Sequence, residues 1–260
     1  MTPYVRDGYV FPIPVLAEGE ANRYRHELEA AEQLLQTDLD RKILFGFANM
    51  VLPFVDEISR LASVTAAVGE VLGPDLLVLG ASFFVKEPNS TAFVSWHQDL
   101  TYWELSDVAE ATAWIALTPA TTENGCMRFV RGSHRQDVVA HRDTFSSNNM
   151  LSRGQELAVD VADDDAVDVT LGAGEMSVHH GHMFHSSKPN RSDDRRIGLA
   201  LRYIAPSMRQ VGGQKTFATL VAGEDRFGHF QSFPAPVEVM DADDYARARE
   251  SMKLQSQVRL

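Results

Sequence analysis

The stretch Ala92-Phe-Val-Ser-Trp-His-Gln-Asp99 decides how this chain is interpreted. It is rich in aromatic and β-branched residues, which predicts a β-strand. Successive side chains of a strand point to opposite faces, so we expect His97 and Asp99 to lie on the same face. An imidazole and a carboxylate would then project together from one end of a strand.

A further histidine can complete a metal site with this pair. His185 stands in a segment that also holds His179, His180 and His182. Strand alternation would group His180 with His182 and His179 with His185, so spacing alone leaves the third ligand open. One carboxylate and two neutral imidazoles suit Fe(II) and leave three adjacent positions for a 2-oxo acid and O₂. Zinc more often has a closed or nearly closed tetrahedral shell.

Arg196 stands at the start of another predicted strand. The Pro, Asn, Ser and Asp residues before it predict a turn. The run Ile197-Gly-Leu-Ala-Leu-Arg-Tyr-Ile204 predicts a buried strand that returns beside the segment of His185. Because a guanidinium can bind a carboxylate at two points, Arg196 could hold the distal carboxylate of 2-oxoglutarate near the metal.

Three blocks of the sequence together resemble the phytanoyl-CoA dioxygenase family of Fe(II)/2-oxoglutarate oxygenases. They are Trp96-His-Gln-Asp-Leu-Thr-Tyr-Trp103, Glu123-Asn-Gly-Cys-Met-Arg-Phe-Val-Arg-Gly-Ser-His134 and the segment from His185 to Tyr203. The blocks occur in the family's order and span roughly the central half of the chain. The resemblance implies Fe(II) as cofactor, with 2-oxoglutarate and O₂ as co-substrates.

The resemblance also assigns residues to roles. It implies that His97, Asp99 and His185 bind iron and that Arg196 binds the distal carboxylate of 2-oxoglutarate. His185 is favoured as the third ligand because its distances along the sequence from Pro189-Asn190 and from Arg196 match the family. The other three histidines are then expected in the core or bonded to a ligand. The positions matched to the co-substrate pocket are Gln98, Trp114, Ser187 and, in a looser alignment, Lys42.

Several weaker candidates for substrate contact follow from their places on predicted elements. Arg202 could bind substrate or form a structural ion pair, and Tyr102 and Trp103 could line the metal site or pack in the core. Phe83 and Lys86 lie on an early predicted strand. Cys126 is expected to be a small buried residue.

The reaction that the resemblance implies is hydroxylation of an unactivated C–H bond, with release of succinate and CO₂. The last block is similar to the branch that also holds carrier-protein halogenases, which replace the carboxylate ligand by a small residue. Asp99 fills that position and favours hydroxylation over halogenation, and a halogenase or desaturase variant on the same iron centre is kept as an alternative. A non-catalytic metal-binding jelly roll and a zinc hydrolase are further alternatives.

Composition limits the partners. The net charge of −12 argues against non-specific nucleic-acid binding and against docking to an anionic membrane, since both need a basic face. A small-molecule substrate is therefore expected. The single cysteine and the lack of an apolar signal-peptide core at the start of the sequence predict a cytoplasmic location.

The order of predicted elements indicates the fold. Helices come first and strands follow, which predicts an α+β, mainly β class with a double-stranded β-helix, or cupin-like jelly-roll, core. With 44% hydrophobic residues among 260, one domain over 1–260 can bury a sizeable core. Its expected parts are a helical flank at 1–75, the core at 76–206 with an insertion at about 137–165, and a C-terminal extension at 207–260. The predicted helices cover 17–37, 56–72 and 241–254, and Asn124-Gly125 predicts a hairpin turn.

Overall fold

The computed structural model describes residues 2–151, 154–159 and 161–258. The chain forms two compact units. The first unit comprises Met1–Ala21, Phe84–Thr101 and Trp114–Gly198, and the second unit comprises Asn22–Phe83, Tyr102–Ala113 and Leu199–Leu260. Whether residues 1–260 make up a single domain stays a prediction.

Most of the helices lie in the N-terminal third, as the sequence predicts. In chain order they are α1 (Pro3–Asp7), α2 (Glu18–Glu32), α3 (Asp38–Gly46), α4 (Ala48–Val51), α5 (Pro53–Arg60), α6 (Ala62–Leu72) and α7 (Ala242–Val258). Among the described residues, none of these helices is both long and apolar enough to cross a bilayer.

The strands form a mainly antiparallel β structure. They are β1 (Tyr9–Pro14), β2 (Leu76–Lys86), β3 (Val94–His97), β4 (Glu110–Ala116), β5 (Met127–Val130), β6 (His141–Asp143), β7 (Gln155–Leu157), β8 (Ala166–Val169), β9 (Glu175–His180), β10 (His185–Ser187), β11 (Arg196–Ile204) and β12 (Thr219–Ala222). A six-stranded sheet has the order β1-β9-β4-β11-β2-β12, a four-stranded sheet has the order β3-β10-β5-β8, and β6 pairs with β7.

The four-stranded sheet brings distant parts of the chain together. Strand β10 pairs antiparallel with β3, and the register places His185 opposite His97. On its other side β10 pairs with β5, where His185 lies opposite Phe129. Two of the predicted ligands are therefore cross-strand neighbours, although 87 positions separate them along the chain.

Two expectations about strand pairing are wrong. Strand β11 begins at Arg196 as predicted, but it lies between β4 and β2 in the six-stranded sheet rather than beside β10. The turn at Asn124 exists, closed by bonds between Asn124 and Thr121, yet it joins β4 and β5, which belong to different sheets. A local turn signal does not specify which strands pair, because pairing depends on contacts distant in sequence.

The helical flank differs from the prediction in three places. The expected helix over 17–37 ends at Glu32, because Thr37 adopts an extended conformation and caps α3 together with Asp40. The helix expected over 56–72 is two helices, since Leu61 is extended between α5 and α6. The flank also contains β1, which pairs with β9 and so belongs to the sheet structure rather than to a helical layer.

The second unit has a polar framework inside its core. The carbonyl group of the Asn49 side chain accepts from the N–H of Ala81, and the Tyr203 hydroxyl donates to the Ser59 carbonyl at 2.9 Å. Burial raises the pKa of Tyr203 far above its usual value, so this hydroxyl remains a donor. These bonds attach the helical segments to strands of the same unit.

The C-terminal extension is more regular than the sequence indicates. Strand β12 pairs antiparallel with β2, and α7 begins one residue later than the helix predicted at 241–254 and extends four residues beyond it. The insertion expected at 137–165 contains the β6–β7 hairpin and a short 3₁₀ helix at Asp163–Asp165. Positions 152, 153 and 160 of that insertion lie outside the described residues.

Candidate active site

Three side chains of the first unit form a buried cluster of metal-ligating atoms. One ligand atom each from His97, Asp99 and His185 lies within 4.8 Å of the others. The Oδ1 atom of Asp99 is 3.7 Å from Nε2 of His97 and 3.9 Å from Nε2 of His185. Each of the three residues is more than nine-tenths buried. The structure thus brings together the three residues that the sequence predicts as iron ligands.

Backbone carbonyl groups orient both imidazole rings. Nδ1 of His97 lies 2.9 Å from the carbonyl oxygen of Ser95, and Nδ1 of His185 lies 2.9 Å from that of Met183. If Nδ1–H donates in both bonds, each Nε2 keeps its lone pair for a metal. Burial, reinforced by the neighbouring His97, holds the pKa of His185 well below its usual value, so this ring is neutral as metal binding requires.

Asp99 reaches the cluster by a different route from the one predicted. Strand β3 ends at His97, and Asp99 begins a 3₁₀ helix over Asp99–Tyr102. The expectation that both ligands share one face of a strand is therefore wrong, although they do lie close together. The turn of the chain after His97, rather than strand alternation, brings the carboxylate beside the two rings.

His179 lies against the second oxygen of Asp99. Its Nε2 is 3.6 Å from Oδ2 of Asp99, whereas Oδ1 faces the other two rings. The ring of His179 is also packed 4.7 Å from that of His185 and 5.0 Å from Phe129, measured between centroids. Of the histidines whose role the sequence leaves open, this one contacts the ligand cluster directly.

Arg196 provides a buried guanidinium in the same unit. It is 1% exposed, and its only hydrogen bond within the described residues is a long one of 3.5 Å from Nη1 to the carbonyl of Phe84. Nε and Nη2 have no partner among the described residues. The guanidinium carbon lies 5.3 Å from the centre of the Trp114 ring. Burial lowers the pKa of Arg196 to about 10, so the group stays charged at neutral pH.

This arrangement fits a bound carboxylate. Buried polar atoms are rarely left without a partner, and a buried charge is normally paired. Two adjacent donors of a fixed fork, Nε and Nη2 of Arg196, match the two oxygens of a carboxylate. The metal-ligating cluster and this guanidinium together suit a metal ion and an acid that chelates it at one end.

Ser187 and Lys86 form a polar pair beside this region. Lys86, at the end of β2, is fully buried and its Nζ lies 2.6 Å from Oγ of Ser187. Nζ also donates to the carbonyl group of Lys188 and, at 3.4 Å, to that of Gly125. Lys86 is thus engaged by groups of the first unit, and its predicted contact with substrate stays untested.

Gln98 is tied to the insertion through its whole side chain. Its amide nitrogen donates to the carbonyl groups of His182 at 3.0 Å and Asp137 at 3.3 Å, and its amide oxygen accepts from the N–H of Val139. The backbone N–H of Gln98 donates to Nε2 of His141. The side-chain amide of Gln98 already bonds to backbone groups. That Gln98 lines the co-substrate pocket stays a prediction.

The remaining candidates lie in the second unit. Arg202 donates to the hydroxyl of Ser82 at 3.0 Å, and its guanidinium carbon is 5.3 Å from the centre of the Trp103 ring. Within the described chain, Arg202 makes these contacts in place of the ion pair that the sequence suggested. The Tyr102 and Trp103 rings lie 6.4 Å apart.

Two further candidates of the second unit differ in exposure. Phe83 is buried and packs against Phe45 and Phe54. Lys42 is exposed on α3. Roles for Phe83 and Lys42 in binding stay predictions.

Sequence reasoning missed two residues that support the site, His141 beside Gln98 and Gly198 beside Trp114. His141 lies in the insertion, where a polar residue in a long loop gives no signal of its partner. Gly198 lies where an added Cβ would come 1.8 Å from a ring carbon of Trp114. A glycine within an apolar strand pattern could have indicated such a close approach. Cys126 is buried, as predicted, and burial raises the pKa of its thiol to about 11.

Comparisons with known sequences agree with the geometry of the site. A sequence model of the phytanoyl-CoA dioxygenase family, PhyH, matches residues 4–198. A probable alpha-ketoglutarate-dependent hypophosphite dioxygenase of Stutzerimonas stutzeri is 28% identical over 159 residues, which cover 58% of this chain and 53% of the relative. A phytanoyl-CoA dioxygenase domain-containing protein 1 of Danio rerio is 29% identical over 130 residues, which cover 48% and 43%. The chain spans about half the length of these curated relatives.

Solved structures extend the likeness to almost the whole chain. The apo form of the non-haem monooxygenase ThoJ is 33% identical, covers 99% of this chain and 96% of its own, and has a TM-score of 0.88. The epimerase SnoN, solved with Fe³⁺ and alpha-ketoglutarate, is 21% identical with a TM-score of 0.65 over 80% of this chain and 83% of its own, which shows the fold alone. These neighbours confirm the predicted mainly β, jelly-roll class. The chain therefore belongs to the phytanoyl-CoA dioxygenase family of Fe(II)- and 2-oxoglutarate-dependent oxygenases.

Proposed function

We propose that this protein hydroxylates an unactivated C–H bond of a small-molecule substrate. The observation that carries the proposal is the occurrence, within one compact unit, of the His97–Asp99–His185 cluster and of the Arg196 guanidinium, whose Nε and Nη2 have no partner among the described residues. The overall reaction converts a substrate C–H, 2-oxoglutarate and O₂ into a substrate C–OH, succinate and CO₂. Bound Fe(II) would supply the activation of O₂.

The cluster residues would hold the metal on one side. His97 and His185 would bind it through Nε2, since Nδ1 of each ring lies at a backbone carbonyl group, and Asp99 adds one negative charge. This donor set leaves adjacent metal positions open to the co-substrate and to O₂. Burial of all three residues limits access of water to the reacting atoms.

Arg196 would bind the distal carboxylate of 2-oxoglutarate. The Trp114 ring beside the guanidinium keeps that pocket apolar on one side, and the Ser187 hydroxyl is the further donor expected there. A charged hydrogen bond formed away from water is strong, so Arg196 would largely determine the affinity for the co-substrate.

Asp99 favours hydroxylation over halogenation. A halogenase of this fold needs a metal position that chloride can occupy, and a carboxylate in the ligand set fills that position. A zinc hydrolase or a non-catalytic metal-binding jelly roll would have no use for the buried Nε and Nη2 donors of Arg196, which have no partner in the described part of the chain.

Succinate release tests the proposal. The protein is loaded with Fe(II) without oxygen, and small metabolites are then screened with 2-oxoglutarate and O₂ for stimulated succinate formation and for products 16 mass units heavier than substrate. We expect His185→Ala to lose iron binding and Asp99→Ala to lose hydroxylation. His180→Ala, a histidine of the same segment outside the cluster, is the matched control and should keep iron.

The contrary outcomes are specific. Full iron binding and turnover by His185→Ala would remove this residue from the metal site. An unchanged requirement for 2-oxoglutarate in Arg196→Met would remove Arg196 from the co-substrate pocket. Incorporation of chloride into a product would replace hydroxylation by halogenation.

A further inference from the structure

The burial of Lys86 is unusual for its chemistry. Lysine is almost never fully buried unless it is paired with an acid. Lys86 is 0% exposed, and its Nζ contacts a hydroxyl and two carbonyl groups rather than a carboxylate. The short contact to Ser187 is to a residue that lies two positions after the ligand His185.

The charged surroundings of Lys86 make this burial more costly. The groups that act on it electrostatically among the described residues are Arg196 on β11 and the thiol of Cys126 before β5. The thiol is neutral at physiological pH, because burial raises its pKa to about 11. Lys86 and Arg196 are therefore two buried bases with no carboxylate acting on either of them in the described chain. Such a pair indicates that an anion from outside the chain binds here.

The two bases differ in their charge before the anion arrives. Burial, and then the neighbouring Arg196, lower the pKa of Lys86 to about 6, whereas that of Arg196 is lowered only to about 10. Lys86 is consequently a neutral amine at physiological pH in this state, and Arg196 is charged. An anion placed beside both would favour the charged form of Lys86.

We propose that Lys86 is a positioning residue of the co-substrate pocket, which acts through Ser187 and supplies a second positive charge beside Arg196 when 2-oxoglutarate binds. The proposal rests on the proposed function and extends it. It assigns Lys86 to the co-substrate rather than to the substrate.

The hydrogen bond between Lys86 and Ser187 explains how Lys86 acts. A neutral amine has a lone pair, so the Ser187 hydroxyl can donate to it and turn its hydrogen away from a ligand. An ammonium has three donors and no acceptor, so Ser187 must accept from it. The hydroxyl hydrogen is then free to donate to the distal carboxylate of 2-oxoglutarate. Protonation of Lys86 thereby changes Ser187 from a donor to lysine into a donor to the ligand.

Proton uptake on binding is the direct consequence. Calorimetric titration of the Fe(II)-loaded protein with 2-oxoglutarate, without oxygen, is repeated in buffers of different ionisation heat at about pH 7.5. The dependence of the heat on the buffer counts protons taken up. We expect about one proton per 2-oxoglutarate for the natural protein, because Lys86 starts neutral and ends charged. If Lys86 had only a structural role and kept its protonation state, no proton would be taken up on binding.

Substitutions separate charge from proton uptake. Lys86→Met should abolish proton uptake and weaken 2-oxoglutarate binding by about tenfold or more, as the loss of a charged hydrogen-bonding group does. Lys86→Arg keeps a permanent charge, so it should abolish uptake while restoring part of the affinity. Lys188→Met is the matched control, because this neighbouring lysine has an exposed side chain, and it should behave as the natural protein.

A double-mutant cycle tests whether Lys86 acts through Ser187. If it does, Ser187→Ala combined with Lys86→Met should weaken binding by less than the product of the two single effects. Fe(II) affinity and circular dichroism of each variant report whether it is folded. If a Lys86 variant fails to fold, the proton count of the natural protein still decides.

Two results overturn the proposal, and they differ from each other. Tight 2-oxoglutarate binding by the natural protein without proton uptake, with Lys86→Met unchanged in affinity, would refute the role of Lys86 and leave the proposed function standing. No 2-oxoglutarate binding by the Fe(II)-loaded natural protein would refute the proposed function, and the role of Lys86 with it.

Discussion

At the scale of single residues, Gly198 sets the position of the tryptophan beside Arg196. A Cβ atom at this position would lie 1.8 Å from Cζ2 and 2.3 Å from Cε2 of Trp114. We expect Gly198→Ala to displace the indole and to lower the free energy of unfolding by about 1–3 kcal/mol, the usual cost of overpacking. The variant should also bind 2-oxoglutarate more weakly, because the ring that flanks the guanidinium has moved.

Thermal unfolding and 2-oxoglutarate titration measure both effects. Gly80→Ala is the control, since Gly80 also lies in a strand and nothing lies within 4 Å of an added Cβ there. If Gly198→Ala kept both the melting temperature and the affinity, Trp114 could not be as tightly held as its contact with Gly198 indicates.

His179 is the residue that contacts the outer oxygen of Asp99. With Nε2 3.6 Å from Oδ2, it can restrain the carboxylate whose other oxygen faces the two ligand imidazoles. We expect His179→Phe to weaken Fe(II) binding by about 10- to 100-fold, the usual effect of removing a group that orients a metal ligand. His179→Gln, which keeps a donor, should lose less.

Competition with a chelator of known affinity measures the Fe(II) dissociation constant of these variants. His180→Phe, at the adjacent position, controls for the change of volume in the same strand. Equal Fe(II) affinity in His179→Phe and the natural protein would show that Asp99 is held by the turn after His97 alone.

At the scale of elements, the β6–β7 hairpin is attached to the backbone between the two ligands of the His-x-Asp segment. Nε2 of His141 accepts from the N–H of Gln98, and the hydroxyl of Ser95 donates to the carbonyl group of Gln155. His141→Ala leaves the N–H of Gln98 without its acceptor, which should cost about 1–3 kcal/mol if water does not replace it. We expect faster amide exchange in β6, β7 and the segment around Gln98.

Hydrogen–deuterium exchange followed by mass spectrometry checks this attachment. Arg142→Ala on the same hairpin is the control, because it removes only an exposed ion pair with Glu156. Identical exchange in His141→Ala and the natural protein would mean that the hairpin is held by its other bonds.

The elements that the sequence predicts best are those with local patterns. Strand β11 is an apolar run that is found where the sequence places it, and β2 contains the early predicted strand of Phe83 and Lys86. Their neighbours in the sheet could not be predicted, because a turn such as that at Asn124 is local whereas strand pairing depends on the whole chain. The split of the predicted helix at Leu61 could not be predicted either, because a single extended residue leaves the apolar pattern of the sequence almost unchanged.

The candidate site likewise has residues that the sequence identifies and contacts that it does not. The His-x-Asp spacing indicates His97 and Asp99, because the chemistry of metal binding restricts which residue types serve, and the family resemblance selects His185 among the histidines of its segment. The contacts of His141 with Gln98 and of Lys86 with Ser187 could not be read from the sequence, since the residues of each pair are more than 40 positions apart. Burial without an acidic partner, which makes Lys86 informative, exists only in the folded chain.

At the scale of the whole molecule, buried bases determine how the stability of the metal-free protein depends on pH. Burial lowers the pKa of several histidines, to about 4 for His180. Those with a lowered pKa are His134, His141, His180, His182 and His185. Below about pH 6.5 the unfolded chain binds protons that the folded chain does not, so the free energy of unfolding falls as the solution is acidified.

Lys86 extends this dependence to the alkaline side. Its pKa is 10.5 in an ordinary environment and about 6 when buried, so between these values the unfolded chain again binds the extra proton. The free energy of unfolding should therefore rise by about 1.4 kcal/mol per pH unit between pH 7 and 9. Above pH 9 the buried Cys126 thiol, whose pKa is raised to about 11, opposes the rise.

Urea unfolding of the metal-free protein at several pH values between 6 and 9 measures this slope. Lys86→Met has no titrating group at this position, so its curve should be flat from pH 7 to 9, whereas Lys188→Met should follow the natural protein. A flat curve for the natural protein would mean that Lys86 is charged in the folded state before any ligand binds. Because 2-oxoglutarate is expected to charge Lys86, its binding should stabilise the protein less as the pH rises, and the same residue would link the stability of the fold to its affinity for the co-substrate.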